Sequence, residues 1–229
     1  AGVLLSMSRG VVFDATGTLI EATESVGDVY QRVALEHGIV LGSWRLDDAF
    51  GRVLRHAPPR GVEGRNEQVR RDCEVKWWFE LIRQTFQAAD STVLFDDFGS
   101  FAQTLFDTYR TPAAWRVRDR VLPLLSRLRD QGMPMAVVSN FDYRLLEILE
   151  ALELTPFFTS IELPCKHGAR KPDASLFEAA GRSLGRAITD LIYIGDDSPD
   201  RLTAIRGHGL DVIDVNAVPD PKDWLTDLH

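Results

Sequence analysis

Five short apolar segments punctuate the chain: residues 10–13 (GVVF), 133–138 (MPMAVV), 157–161 (FFTSI), 191–194 (LIYI) and 210–215 (LDVIDV). Runs this short, apolar and β-branched or aromatic without a polar alternation, predict strands buried on both faces of a parallel sheet. Between the later runs lie stretches with apolar residues three and four apart: 142–154 (DYRLLEILEALEL), 173–184 and 199–207. Strands alternating with helices of that length imply βαβ crossovers. The expected core is therefore α/β, a Rossmann-like parallel sheet with helices on both faces.

About 110 residues separate the first run from the second, and their pattern is helical (24–37, 44–55, 66–88 and 93–110), with a further helix at 121–131 ending before Gly132. This interval reads as an inserted α-helical bundle. The expected organisation is a discontinuous α/β core, residues 1–20 and 112–229, around a helical insertion at 21–111. Residues 58–65 (PPRGVEGR) form a loop by their Pro and Gly content. The aromatic group Trp77, Trp78, Phe79 and Phe86 is expected in the bundle core.

Composition narrows the field. The 229 residues are 45% hydrophobic and 26% charged, as in globular domains and unlike disordered or collagen-like chains. The net charge of −8 argues against a general affinity for nucleic acid or an anionic membrane. Cys73 and Cys165 lie far apart with no metal-ligand spacing, so reduced thiols and a cytoplasmic location are expected. The leader AGVLLS is too short for a signal peptide, and Met7 is a candidate native start.

The chemistry gathers at strand ends. In VVFDATGTL an apolar strand delivers Asp14, and Gly17 permits a tight turn. Ser139 and Asn140 follow MAVV, Lys171 lies on the loop after the third run, and Asp196 with Asp197 follows LIYIG. In a parallel sheet all converge on the carboxyl edge, where ligands collect. A nucleophilic carboxylate, a hydroxyl, a fixed cation and further carboxylates are the parts of metal-assisted phosphoryl transfer. Ser198 before Pro199 reads as a helix N-cap, and Asp200 suits that helix's N-terminal dipole. His37, His56, His167 and His208 show no ligand spacing; His167 is a weak substrate-contact candidate through its nearness to Lys171.

This set resembles the haloacid dehalogenase-like hydrolase superfamily, whose pattern is a strand-end DxDGT, then Ser or Thr, then Lys, then GD with a following acid. VGDVY, WWFELIRQTF, SNFDYRLLEIL and RKPDASLFEAA are similar to its subgroup of domain-containing protein 3. The resemblance implies that the helical insertion is a cap and that Asp14 attacks phosphorus to form an aspartyl-phosphate. It implies Mg²⁺ held by Asp14, the carbonyl of Thr16 and Asp196, an oxygen set suited to that hard ion. Ser139 would hydrogen-bond a phosphoryl oxygen beside the amides of the next helix, with Asn140 among the substrate contacts. Lys171 would neutralise Asp14 and the phosphate. The expected partner is a small phosphorylated substrate.

Two positions depart from the family. Thr16 stands where its phosphatases carry the acid that protonates the leaving group, and losing such a group costs about 10²- to 10⁴-fold. Glu21 and Glu24 are candidate replacements. Arg201 stands where a second acid is common, so that either Asp197 or Asp200 is the outer partner of the ion or the second acid is absent. A dehalogenase, in which Asp14 attacks carbon without a metal, and a catalytically weak binding protein are the alternatives. In 52–71 six arginines (Arg52, Arg55, Arg60, Arg65, Arg70, Arg71) face Glu63 and Glu67, a local charge of +4. They read first as a solvated face and second as a guide for an anionic substrate.

Overall fold

The computed structural model describes residues 9–225, so Met7 and its leader lie outside the described residues. In chain order the elements are β1 (Gly10–Phe13), β2 (Ile20–Ala22), α1 (Val26–Glu36), α2 (Ser43–His56), α3 (Glu67–Ala89), α4 (Phe98–Thr108), β3 (Trp115–Val117), α5 (Val121–Asp130) and β4 (Met135–Val138). They continue with α6 (Arg144–Ala151), β5 (Ser160–Glu162), α7 (Pro164–His167), α8 (Ala174–Leu184), β6 (Leu191–Gly195), α9 (Pro199–Arg206) and β7 (Asp211–Asp214). Among the described residues the chain divides into two compact units, residues 9–21 with 116–225, and residues 22–115.

The first unit is built on a parallel sheet ordered β5-β4-β1-β6-β7. β1 lies at its centre, with Val12 opposite both Ala136 of β4 and Tyr193 of β6. The strand's alternation feeds two layers: Val12 packs in a cluster with Leu176, Phe177 and Ala180 of α8, while Phe13 meets Phe158 and Trp224 at ring distances of 6.1 and 6.5 Å. Each such side chain contributes roughly 1.5–3 kcal/mol when fully buried. Apolar contact on both faces of β1 holds its end, and hence Asp14, in a fixed place.

The second unit is helical. Tyr30, Phe86 and Phe101 anchor its core; the Tyr30 and Phe86 rings stack 5.9 Å apart, and Phe101 meets Phe86 edge-on at 5.0 Å. Side-chain caps begin three of its four helices, Ser25 accepting from the Asp28 amide, Asn66 from Val69 and Asp97 from Ser100. Among the described residues no helix is long and apolar enough to cross a membrane.

Several expected boundaries move. Residues 157–159 are not in the third core strand, because Pro156 closes a 3₁₀ turn over Thr155–Phe157 and the strand begins at Ser160. The helix expected from residue 93 begins at Phe98, where Asp97 supplies the cap. The pairing of β2 with β3 left no periodic signal, since three residues are too few to make one. Of the four aromatics expected in the bundle core, only Phe86 is fully enclosed. Trp77 and Trp78 are half-buried, with the Arg60 guanidinium 5.6 and 5.7 Å from their ring centroids.

Candidate active site

Asp14 ends β1 and is 7% exposed. Its amide donates to the carbonyl of Ile194 on β6, and its Oδ1 accepts from the Ala15 amide at 2.7 Å. The chain then turns back within three residues, the amides of Thr18, Leu19 and Ile20 all donating to the Ala15 carbonyl. Arg118 fastens this turn by donating to the Gly17 carbonyl at 2.5 Å. Gly17 sits at φ +78°, and the Asp196 carboxylate fills the space beside it that a Cβ would need.

Lys171 reaches this edge from the loop between α7 and α8. Asn140, just past β4, holds that loop at both ends of one residue: its Oδ1 accepts from the Lys171 amide at 2.7 Å and its Nδ2 donates to the Lys171 carbonyl at 3.1 Å. The buried Lys171 ammonium lies 2.9 Å from Asp14 Oδ2 and 2.9 Å from Asp197 Oδ2, and donates to Tyr193 Oη at 2.6 Å. Tyr193 in turn donates to Asp197 Oδ2, and Arg201 donates to Asp197 Oδ1 at 2.9 Å.

The electrostatics follow from this wiring. Burial works against ionisation of Asp197, yet its carboxyl is held below the usual range by the Lys171 charge and by hydrogen bonds from Tyr193, Arg201 and Lys171. Asp196 is pushed up, first by burial and then by the charges of Asp14 and Asp197. The Tyr193 hydroxyl is raised well above its ordinary value by burial and by the same two carboxylates, so it remains protonated.

The carboxylate crowding at Asp196 is what a divalent cation relieves, and the carboxylates of Asp14 and Asp196 with the Thr16 carbonyl are an all-oxygen set that fits a hard ion. Among the described residues no three His, Cys, Asp or Glu side chains are grouped to hold a metal. A cation here would rest on two carboxylates, the main chain and water.

The structure brings Asp14, Asn140, Lys171, Asp196 and Asp197 to one sheet edge. Ser139 is also buried there, its Oγ accepting from the Phe141 amide at 3.2 Å. The helix expected beside Ser139 starts later, at Arg144, and Asp142 already takes the Arg144 amide. Thr16 is half-buried within the turn. Glu21 is paired with Arg116 at 2.6 Å, Glu24 with Arg32 at 3.0 Å, and His167 with Glu162 at 2.5 Å. Asp200 is exposed on the first turn of α9, and Ser198 occupies the N-cap position without a side-chain cap bond.

Sequence reasoning missed Tyr193 and the anchoring role of Asp197. The available signal was a lone hydroxyl in the apolar run LIYIG, two residues before Gly195 and so on the same face of the strand. A Cβ on Gly195 would lie 2.7 Å from Tyr193 Oη, so the glycine makes room for the ring's polar tip.

A sequence profile of the haloacid dehalogenase-like hydrolases matches residues 9–209. The mouse haloacid dehalogenase-like hydrolase domain-containing protein 3 is 30% identical over 82% of this chain and 74% of its own length. In fold the chain is similar to a Bacillus subtilis protein assigned as a HAD hydrolase and solved with bound magnesium (TM-score 0.66, 18% identity, 90% of this chain and 87% of that one). It is also similar to a dehalogenase solved as an intermediate complex (TM-score 0.63, 20% identity, 96% and 90%). At these identities the structural likenesses speak for the fold alone.

Proposed function

The chain belongs to the haloacid dehalogenase-like hydrolases, and from that membership we propose that it is a magnesium-dependent phosphatase of a small phosphorylated metabolite, with Asp14 as nucleophile. The observation that carries the reading is the buried Lys171 ammonium set 2.9 Å from Asp14, in an edge crowded by Asp196 and Asp197. A carboxylate flanked by a fixed cation and by acids in need of a counter-ion suits an anionic electrophile better than a neutral one.

In the proposed reaction an Asp14 carboxylate oxygen forms a bond to phosphorus as the bond from phosphorus to the leaving oxygen breaks. Lys171 offsets charge on Asp14 and on the phosphoryl oxygens. Ser139 donates its hydroxyl to one of those oxygens, and Asn140 keeps Lys171 in place. Asp14, Asp196 and the carbonyl of Thr16 would hold magnesium, which when bound draws off negative charge from the phosphoryl group. Water then attacks the aspartyl-phosphate, releases inorganic phosphate and restores the Asp14 carboxylate.

Thr16 does not protonate a leaving group near neutral pH, and Glu21, Glu24 and His167 are engaged elsewhere. The alkoxide of a simple alkyl phosphate departs slowly from such a site. A leaving group stable as an anion, such as the carboxylate of an acyl phosphate, escapes that cost. The test is labelling with radioactive acetyl phosphate and Mg²⁺. Acid-stable label on Asp14, lost in Asp14→Asn, is expected; absence of label with unchanged turnover in Asp14→Asn overturns the reading. Chloride release from 2-chloropropionate in EDTA would assign carbon as the atom attacked.

A further inference from the structure

We propose that Tyr193 is a positioning residue for phosphoryl transfer, its hydroxyl fixing the Lys171 ammonium against Asp14. This inference rests on the reading of Asp14 as nucleophile for its kinetic consequence, though not for its structural one.

The Lys171 ammonium donates to Asp197 Oδ2 and Tyr193 Oη and stands 2.9 Å from Asp14 Oδ2 as an ion pair. Asp197 alone would be a poor guide. A point charge on a flexible four-carbon stem finds many orientations against one carboxylate of nearly equal energy. Tyr193 removes that freedom, because its oxygen accepts from Lys171 while its own hydrogen is committed to Asp197 Oδ2. The three groups close a ring of hydrogen bonds that holds the ammonium 2.9 Å from Asp14 Oδ2.

The ring of Tyr193 is itself immobile. It is fully buried, Phe177 packs edge-on against it at 5.3 Å, and its tip lies over Gly195, where a Cβ would come within 2.7 Å of the hydroxyl. Its backbone is registered beside Val12 of β1, two residues before the nucleophile. Rigid strand, rigid ring and rigid hydroxyl thus transmit the placement of β6 to a side chain that arrives from a loop.

Tyr193→Phe deletes the hydroxyl and keeps the ring. Lys171 and Asp197 retain each other, so no buried charge is stranded and the fold should survive, as thermal unfolding will report. The structural half is read without catalysis, by nitrogen-15 NMR of the lysine ammonium groups. The wild type should show a slowly exchanging ammonium signal that vanishes in Lys171→Met and exchanges faster with water in Tyr193→Phe. An unchanged exchange rate in Tyr193→Phe overturns the proposal, whatever the enzyme turns over. The kinetic half uses p-nitrophenyl phosphate with Mg²⁺. Here kcat should fall about tenfold, the size of one hydrogen bond to a charged group, with KM within about twofold of wild type. Wild-type kcat in Tyr193→Phe overturns the positioning role. No turnover and no Asp14 label in the wild type itself refutes the phosphatase reading, while the ammonium signal still decides what Tyr193 does.

Discussion

Gly17 and Asp196 share a space that holds only one of their side chains: at φ +78°, a Cβ on Gly17 would stand 1.9 Å from Asp196 Oδ2. The turn after the nucleophile and the acid following β6 therefore constrain each other's position. Gly17→Ala should strain the turn and displace Asp196. A shift of about 1 Å at a reacting centre costs on the order of 10²-fold, so phosphatase activity should fall by that factor. Retention of wild-type kcat together with wild-type Mg²⁺ dependence would show that the contact is not needed.

Thr16→Asp should accelerate turnover of alkyl phosphates by about tenfold or more, because a positioned acid and base restores a contribution of 10²- to 10⁴-fold when its geometry is right. The phospho-Asp14 intermediate should become correspondingly short-lived in a quench experiment. An unaltered rate would mean that the proton already comes from another group.

Asn140→Ala removes both bonds that hold the Lys171 backbone. A loss of about 1 to 3 kcal/mol in stability is expected from the main-chain groups left unmatched, measured by urea unfolding, with a parallel fall in kcat. Asn140→Asp should rescue the amide contact at Oδ1 and not the carbonyl contact.

Asp173 caps α8, the helix that follows Lys171. Its carboxyl is held below the usual range by the Ser175 hydroxyl and amide, and further by the His208 charge. A lowered folded-state pKa stabilises above the unfolded value of 3.8, and that stabilisation is lost as pH falls through the lowered value. Asp173→Ala should therefore destabilise by about 1 kcal/mol at neutral pH. The difference from wild type should shrink in unfolding curves taken at progressively lower pH below that range.

Arg60 lies beside Trp77 and Trp78 in the helical unit. Arg60→Glu should cost about 0.5–1 kcal/mol of stability through the lost cation–π contact and leave KM unchanged at low salt. A raised KM would favour the second reading, in which these arginines guide an anionic substrate.

Much of the molecule was legible in the order of its residues. An apolar run such as GVVF has no polar face to expose, so it must be buried on both sides, and a parallel sheet is the arrangement that does this. That alone places Asp14, Ser139, Asn140 and Asp196 at one carboxyl edge. Local chemistry likewise announced the break at Pro199 and the turn at Gly17. Other features depend on side-chain contacts that only the folded chain makes. Asp197 and Asp200 read alike in the sequence, and the fold sets Asp197 against Lys171, Tyr193 and Arg201 while Asp200 is exposed. The arginine partners of Glu21 and Glu24 were likewise not legible in the sequence. Tyr193 read as one more strand residue, because periodicity reports which face a side chain occupies and says nothing of the hydrogen bond waiting there. Burial is a property of a local pattern and survives in one dimension; the partner of a buried polar group is a property of three, and only the packed sheet supplies it.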